Sequence, residues 1–284
     1  MAQFKRIAVI GAGLIGGSIV LAAARRGLAG SLACWSRSES SRSTLRSFNV
    51  AEVFDSAAEC VKGADLVVVT TPVDTAEATF LAIAPFLAPG AVVTDAGSVK
   101  VAIQLAARRL PSLNPFIGAH PMAGGEKAGA AHASASLFEN RVCFITPSGQ
   151  DDPRALALVR IFWKELGSTL TETDAAQHDE IVAAISHLPH AAAAALILAV
   201  MDQPGFRLEA AGQGLRDATR IAAGEENLWV GILLANARHT AEGLRAVEHR
   251  AAQLRQAIEG QDATTLRRLL AEARIARQAL DRNA

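Results

Sequence analysis

From the N-terminus to about residue 148, short runs rich in Val and Ile alternate with Ala- and Leu-rich stretches of helical length. Buried parallel strands read as near-continuous apolar runs, so this alternation predicts a parallel sheet with helices on both faces. Strands are expected at 6–10, 31–35, 66–70, 91–94, 116–118 and 142–145. After Pro147-Ser148-Gly149 the texture changes. One short strand is expected at 168–171; otherwise long helices follow at 153–167, 174–201, 206–223, 225–258 and 263–284, with Gly260 as a stop and Asp262 as the next cap. The pattern therefore predicts an α/β chain in two parts, a doubly wound domain at 1–148 and an all-α domain at 149–284. The apolar run 181–201 has the length of a membrane span, but Ser186, His187, Pro189 and His190 interrupt it, which predicts a buried helix of a soluble domain.

Composition narrows the class of partner. The 284 residues are 50% hydrophobic and 20% charged, enough material for two globular domains. Lys+Arg and Asp+Glu are equal at 28 each, so no net positive field draws the chain to nucleic acid or an anionic membrane. A small-molecule partner is the expectation. Cys34, Cys60 and Cys143 have no C-x-x-C spacing, so they read as buried thiols in a reducing compartment. The first residues lead straight into the apolar run at Ile7, with no room for a secretory signal, and a cytoplasmic location is expected.

Gly11-Ala12-Gly13-Leu14-Ile15-Gly16 follows the first expected strand and opens a helix. In a G-x-G-x-x-G turn the first glycine permits the tight bend, the second lets backbone approach a pyrophosphate, and the third packs helix on strand. Helix amides and the positive dipole end then face the phosphates. The doubly wound part thus reads as a Rossmann-type dinucleotide-binding domain. NAD binders usually carry an acid after the second strand, where this chain has Ser36-Arg37-Ser38. An arginine between hydroxyls suits a 2′-phosphate, so NADP is the preferred cofactor, with NAD possible through Glu39.

Asp95-Ala96-Gly97-Ser98-Val99-Lys100 and Gly118-Ala119-His120-Pro121-Met122-Ala123-Gly124-Gly125-Glu126 follow neighbouring expected strands at the carboxyl edge of the sheet, where such folds bind ligands. His120 has the intrinsic pKa to take a proton near neutrality, and Ser98 can orient it or a substrate hydroxyl. In the helical half, Ile185-Ser186-His187-Leu188-Pro189-His190 carries two imidazoles. With no nearby Cys and no H-E-x-x-H, no metal site is expected. Arg216 is paired locally with Asp217, whereas Arg220, before Ile221-Ala222-Ala223, reads as a buried anion contact.

Six motifs in order, GAGLIGGS, Thr70-Thr71-Pro72, DAGSVK, GAHPMAGGEKAG, HDEIVAAISHLPH and GLRDATRIA, resemble those of the prephenate and arogenate dehydrogenase family of tyrosine biosynthesis, over nearly the whole chain. No regulatory or mutase segment adjoins them, so the chain is similar to the short form of the family. The resemblance implies an oxidative decarboxylation: hydride leaves C4 of a cyclohexadienol for the nicotinamide, the C4 hydroxyl loses its proton, and CO2 departs to leave an aromatic ring. It implies His120 as the base on that hydroxyl and Ser98 as the residue positioning both. It implies Arg220 on a substrate carboxylate, His187 in the substrate pocket, and Trp229 as a pocket aromatic, a position that core packing explains equally well. Thr71 and Pro72 join Gly11, Gly13, Leu14, Ile15, Gly16, Ser36, Arg37 and Ser38 as cofactor residues.

Two other readings fit part of the pattern. Two-domain enzymes acting on β-hydroxyacids or imines share the architecture, but the hydroxyacid group typically uses a lysine in the second domain and this chain has none after Lys164. A non-catalytic NADPH-binding protein needs no Ser, His and Arg converging on one cleft. Finally, the helices from residue 174 onward carry more apolar surface than a modest bundle buries, which predicts a homodimer.

Overall fold

The computed structural model describes residues 2–125, 127 and 129–282; Glu126 of the GAHPMAGGEKAG motif lies outside the described residues. Eight strands form one sheet: β1 Phe4–Ile10, β2 Ala29–Trp35, β3 Glu52–Val53, β4 Leu66–Val69, β5 Val92–Asp95, β6 Phe116–Pro121, β7 Val142–Thr146 and β8 Thr169–Glu172. Their order is β3-β2-β1-β4-β5-β6-β7-β8, parallel throughout except for the antiparallel β6–β7 pair. The crossovers reverse between β1 and β4, opening a crevice at their carboxyl ends where Ile10 lies opposite Val69.

Period-two alternation feeds two cores. Ile7, Val9, Leu66, Val68 and Ile117 face one side, where α1 (Leu14–Arg25) and, later in the chain, Pro153–Glu165 cover them. Ala8, Ile10, Val67, Val69 and Val93 face the other, beneath Phe80, Ile83 and Ile103. Between these lie α2 (Glu39–Phe48), α3 (Ala57–Cys60), α4 (Ala76–Ile83) and α5 (Lys100–Ala107), with Pro153–Glu165 as α6. All three cysteines are buried and unpaired, as expected, and burial pushes the Cys34 thiol up to about 12.

Several expectations need correction. The texture change at 148 marks the end of β7 but not of the sheet. Phe162, Trp163 and Leu166 of α6 and its C-cap are buried in the first core, and β8 adds a last strand, Phe144 opposite Thr171. β6 runs on to Pro121, so His120 stands on a strand and not in the loop after it. β3, only two residues long, is too short for a hydrophobic run to announce.

In the helical half, α7 (Ala175–Val182) continues through a π-helical stretch, Ala183–His187, into α8 (Leu188–Met201). Pro189 in the first turn of α8 lacks the amide that an unbroken α-helix needs there, and the widened turn absorbs the defect. The helix expected at 206–223 shrinks to α9 (Gln213–Thr219) flanked by single turns at Leu208–Ala210 and Arg220–Ala223, with Gly212 at the break before α9. The one expected at 225–258 splits at Asn236, at φ −118° and ψ 35°, into α10 (Glu226–Ala235) and α11 (Ala237–Glu259); α12 spans Ala263–Arg282. The run Ala175–Met201 is long and apolar enough to cross a membrane, yet it is no buried helix in the single chain. Within α8 only His190 and Ala193 are buried, and Leu196, Leu198 and Met201 are exposed.

Candidate active site

The glycine turn sits at the β1–β4 crevice. Gly11 has φ +97°, and the amides of Gly11 and Ala12 both donate to the Trp35 carbonyl at 2.9 Å. A Cβ on Gly11 would lie 2.8 Å from the Thr71 backbone nitrogen, and one on Gly16 2.5 Å from Thr70 Oγ1, so both positions demand glycine. Gly13 differs: apart from its own turn, a side chain there would enter open space. No side chain caps α1, which leaves the first-turn amides from Leu14, Ile15 and Gly16 turned toward that space. Thr71 bonds Thr79 at 3.2 Å, and Pro72 starts the turn before α4. Backbone approach, uncapped amides and a positive dipole end together suit a pyrophosphate.

At the end of β2, Ser36 is buried and Ser38 caps α2 by accepting from the Ser41 amide. Arg42 fixes this corner by donating to the Ser36 and Arg37 carbonyls at 2.7 and 3.1 Å. Glu39 is engaged by Arg42 and, at 3.0 Å, by Arg46, which hold its carboxyl below the usual range. The Arg37 side chain is exposed and makes no hydrogen bond or ion pair among the described residues.

His120, at the carboxyl end of β6, lies against α7. Its Nδ1 is 2.9 Å from His178 Nε2, and His178 Nδ1 is 2.8 Å from Asp179 Oδ1. Asp179 also accepts from the Lys100 and Val101 amides at 2.7 and 3.0 Å, so a buried carboxylate of the helical half caps α5 of the sheet half. Lys100, fully buried, bonds Asp95 and donates to the Ala119 carbonyl at 2.6 Å, locking β5 to β6 beside His120. Burial, then the nearby His178, Lys100 and His187, holds the His120 imidazolium well below the ordinary histidine range. Ser98 is half-buried in the β5–α5 turn, and no hydrogen bond among the described residues joins it to His120.

The widened turn at Ala183–His187 aims His187 inward. Asn236, at the break between α10 and α11, donates to the Asp179 carbonyl at 2.7 Å and stands 3.2 Å from His187 Nδ1. His187 Nε2 is buried without a partner among the described residues, and burial lowers its pKa to about 4. Trp229 stacks on His190 at 3.5 Å and meets His187 edge-on at 6.4 Å. Nearby on α10, a Cβ on Gly231 would lie 3.5 Å from the Asp74 carboxyl carbon, which brings this helix beside the Thr71-Pro72 loop. Arg220, expected as a buried contact, is exposed in the single chain, on a short turn that packs against α8. His178, Asp179, Lys100 and His190 stood inside the motifs and Asn236 outside them, but their roles depend on contacts that spacing does not reveal.

What fold and pocket define together is a class, the two-domain nicotinamide-nucleotide-dependent oxidoreductases. Comparison with known proteins narrows it. Residues 19–172 match the family model described as the nucleotide-binding domain of prephenate dehydrogenase, and residues 174–272 the one described as its dimerization domain. Cyclohexadienyl dehydrogenase of Zymomonas mobilis is 35% identical, with 99% of this chain and 97% of that protein covered. The crystal structure of prephenate dehydrogenase from A. aeolicus in complex with hydroxyphenyl propionate and NAD+ superposes with a TM-score of 0.89 at 28% identity, covering 97% of this chain and 98% of that one. Synechocystis arogenate dehydrogenase gives 0.80 at 32% identity, covering 97% and 100%. The chain belongs to the prephenate dehydrogenase family.

Proposed function

We propose that this enzyme oxidatively decarboxylates prephenate or arogenate, prefers NADP, and works as a cytoplasmic homodimer in tyrosine biosynthesis. The observation that carries the chemistry is a buried imidazole, His120, kept neutral at the carboxyl edge of β6. The amides of Leu14, Ile15 and Gly16 would hold the pyrophosphate, with Thr71 and Pro72 lining the turn, while Ser36, Arg37 and Ser38 take the 2′-phosphate. Glu39 is occupied by two arginines, which favours NADP over NAD at that corner. When bound, the nicotinamide accepts hydride from C4 of the ring.

Hydride departure builds positive character on the carbinol carbon, and loss of the hydroxyl proton to His120 Nε2 relieves it as the carbonyl forms. Ser98 positions the hydroxyl from the neighbouring strand end. Arg220 holds the ring carboxylate until it leaves as CO2, His187 offers its unpartnered Nε2 to the substrate, and Trp229 with His190 walls the pocket. Exposed apolar residues on α8 and α10, and the match to a dimerization domain, support the dimer.

Initial rates with prephenate and arogenate, each with NADP and NAD, test the assignment, with NADP expected to give the higher kcat/KM. His120→Asn should keep substrate binding and lose kcat by about 10² to 10⁴, the share a positioned base contributes. Because the neutral ring is the active form and burial lowers its pKa, wild-type kcat should rise with pH through one ionisation below the ordinary histidine range. That limb should vanish in the variant. A folded His120→Asn enzyme with near-normal kcat and the same limb would send the proton elsewhere, with His187 next to test.

A further inference from the structure

We propose that Asp179 sets the two pocket histidines in opposite tautomers, through His178 on one side and Asn236 on the other, so that His120 presents a bare Nε2 and His187 a protonated one. The proposal rests on the reading of His120 as the base and names the residues that make it one.

The first half follows from donors and acceptors. The Asp179 carboxylate only accepts, and it already takes two backbone amides. Its contact with His178 Nδ1 therefore needs the His178 proton on that nitrogen. A neutral His178 then has a bare Nε2, and only a donor can stand 2.9 Å from it. That donor is the Nδ1–H of His120, which leaves the lone pair of a neutral His120 on Nε2. Burial is the main cause lowering the pKa of both rings, so both are neutral near pH 7.

The second half starts from the backbone of the same residue. The Asp179 carbonyl only accepts, so it fixes the Asn236 amide with Nδ2 toward it. The same nitrogen faces His187 Nδ1, which must then be an acceptor. The proton of a neutral His187 is thereby on Nε2, the buried atom without a partner among the described residues. One imidazole is set to take a proton and the other to donate a hydrogen bond, as a hydroxyl and a neighbouring acceptor on one substrate require.

Without His178 the His120 proton is free to move to Nε2, and enzyme in that tautomer has no base. His178 and Asp179 are thus positioning residues, and an arrangement that served only stability would leave kcat independent of the tautomer. When His120 takes the hydroxyl proton on Nε2, its Nδ1–H remains donated to His178, and the Asp179 carboxylate favours the cation through the intervening ring.

The test is nitrogen NMR of the full-length enzyme labelled with 15N-histidine, with His120 and His187 assigned from the signals lost in His120→Asn and His187→Asn. Near neutral pH, His120 should carry its proton on Nδ1 and His187 on Nε2. His178→Leu should lower kcat by about 10² to 10⁴ while substrate KM and NADP affinity stay within about threefold. His178→Gln, whose amide oxygen can accept the Nδ1–H, should keep the tautomer and stay within about tenfold of wild-type kcat. A wild-type spectrum with the His120 proton on Nε2, or a folded His178→Leu enzyme with normal kcat, overturns the proposal, as does a loss of NADP affinity as large as the loss of kcat. Should the Leu variant fail to fold, the wild-type spectrum and the Gln variant decide. If His120→Asn keeps its kcat, the base assignment fails; if it loses kcat and the His178 variants do not, only the tautomer proposal fails.

Discussion

Arg37 stands at the end of β2 with its guanidinium exposed, while the two neighbouring arginines, Arg42 and Arg46, are committed to Glu39 and to backbone carbonyls. A planar fork left free beside two serines is arranged for a phosphate, and NAD offers none at that position. Arg37→Ala should therefore weaken NADP by about 1.5 to 3 kcal/mol, the usual share of a hydrogen bond to a charged group, and leave NAD nearly unchanged. Dissociation constants for both nucleotides check this, and equal losses would move Arg37 out of the cofactor site. At this scale what was legible is position: the glycine turn of Gly11 and Gly16 and the strand-end placement of Arg37 and His120. The sequence was silent on His178 and Asn236, whose partners lie 58 and 57 residues away along the chain. A histidine within a helical run looks like core packing until the strand opposite it is known.

Asn236 shows how a side chain can decide an element. A helix over 225–258 is what the local pattern supports, yet the amide is drawn in to bond the Asp179 carbonyl and His187, and the backbone breaks there. Asn236→Leu would keep the volume, take one of two donors from the Asp179 carbonyl and leave a buried imidazole nitrogen without its partner. The expected cost is about 1 to 3 kcal/mol of stability, with a raised substrate KM because His187 loses its fixed orientation. Urea unfolding midpoints and initial rates test it, and an unchanged KM would reduce Asn236 to a structural role. The strands were readable because both faces of the sheet are buried, so each strand is a solid apolar run. Elements that escaped owe their form to something other than local periodicity: β3 to pairing with its neighbour, and the π-helical turn to Pro189. The break before α9 was legible in Gly212, which Ala-richness outweighed in the pattern.

For the molecule as a whole, the open question is what covers α8 and α10. Single exposed apolar residues are ordinary on any protein, but here Leu196, Leu198 and Met201 on α8 and Leu228, Val230 and Leu234 on α10 are all at least 42% exposed. The same two helices carry His190 and Trp229, so whatever covers the apolar surface also closes over the pocket and the exposed Arg220. A two-fold dimer joins like surface to like, and a self-complementary apolar face meets that requirement without a different partner. The expected particle in solution has twice the 29.7 kDa chain mass, with an interface of the obligate kind, on the order of 2,000 Å² or more. Light scattering at micromolar protein checks the mass. Leu198→Glu should drive the particle toward monomer and lower kcat/KM along with it, since the pocket would lose its cover. The rival occupant is lipid, given a run from Ala175 to Met201 long and apolar enough to span a bilayer. A chain that remained monomeric and floated with liposomes, with Leu198→Glu releasing it, would replace the dimer by a membrane contact. A dimer that stays off liposomes, and loses activity only when Leu198 is charged, would tie the apolar face to catalysis through the second copy.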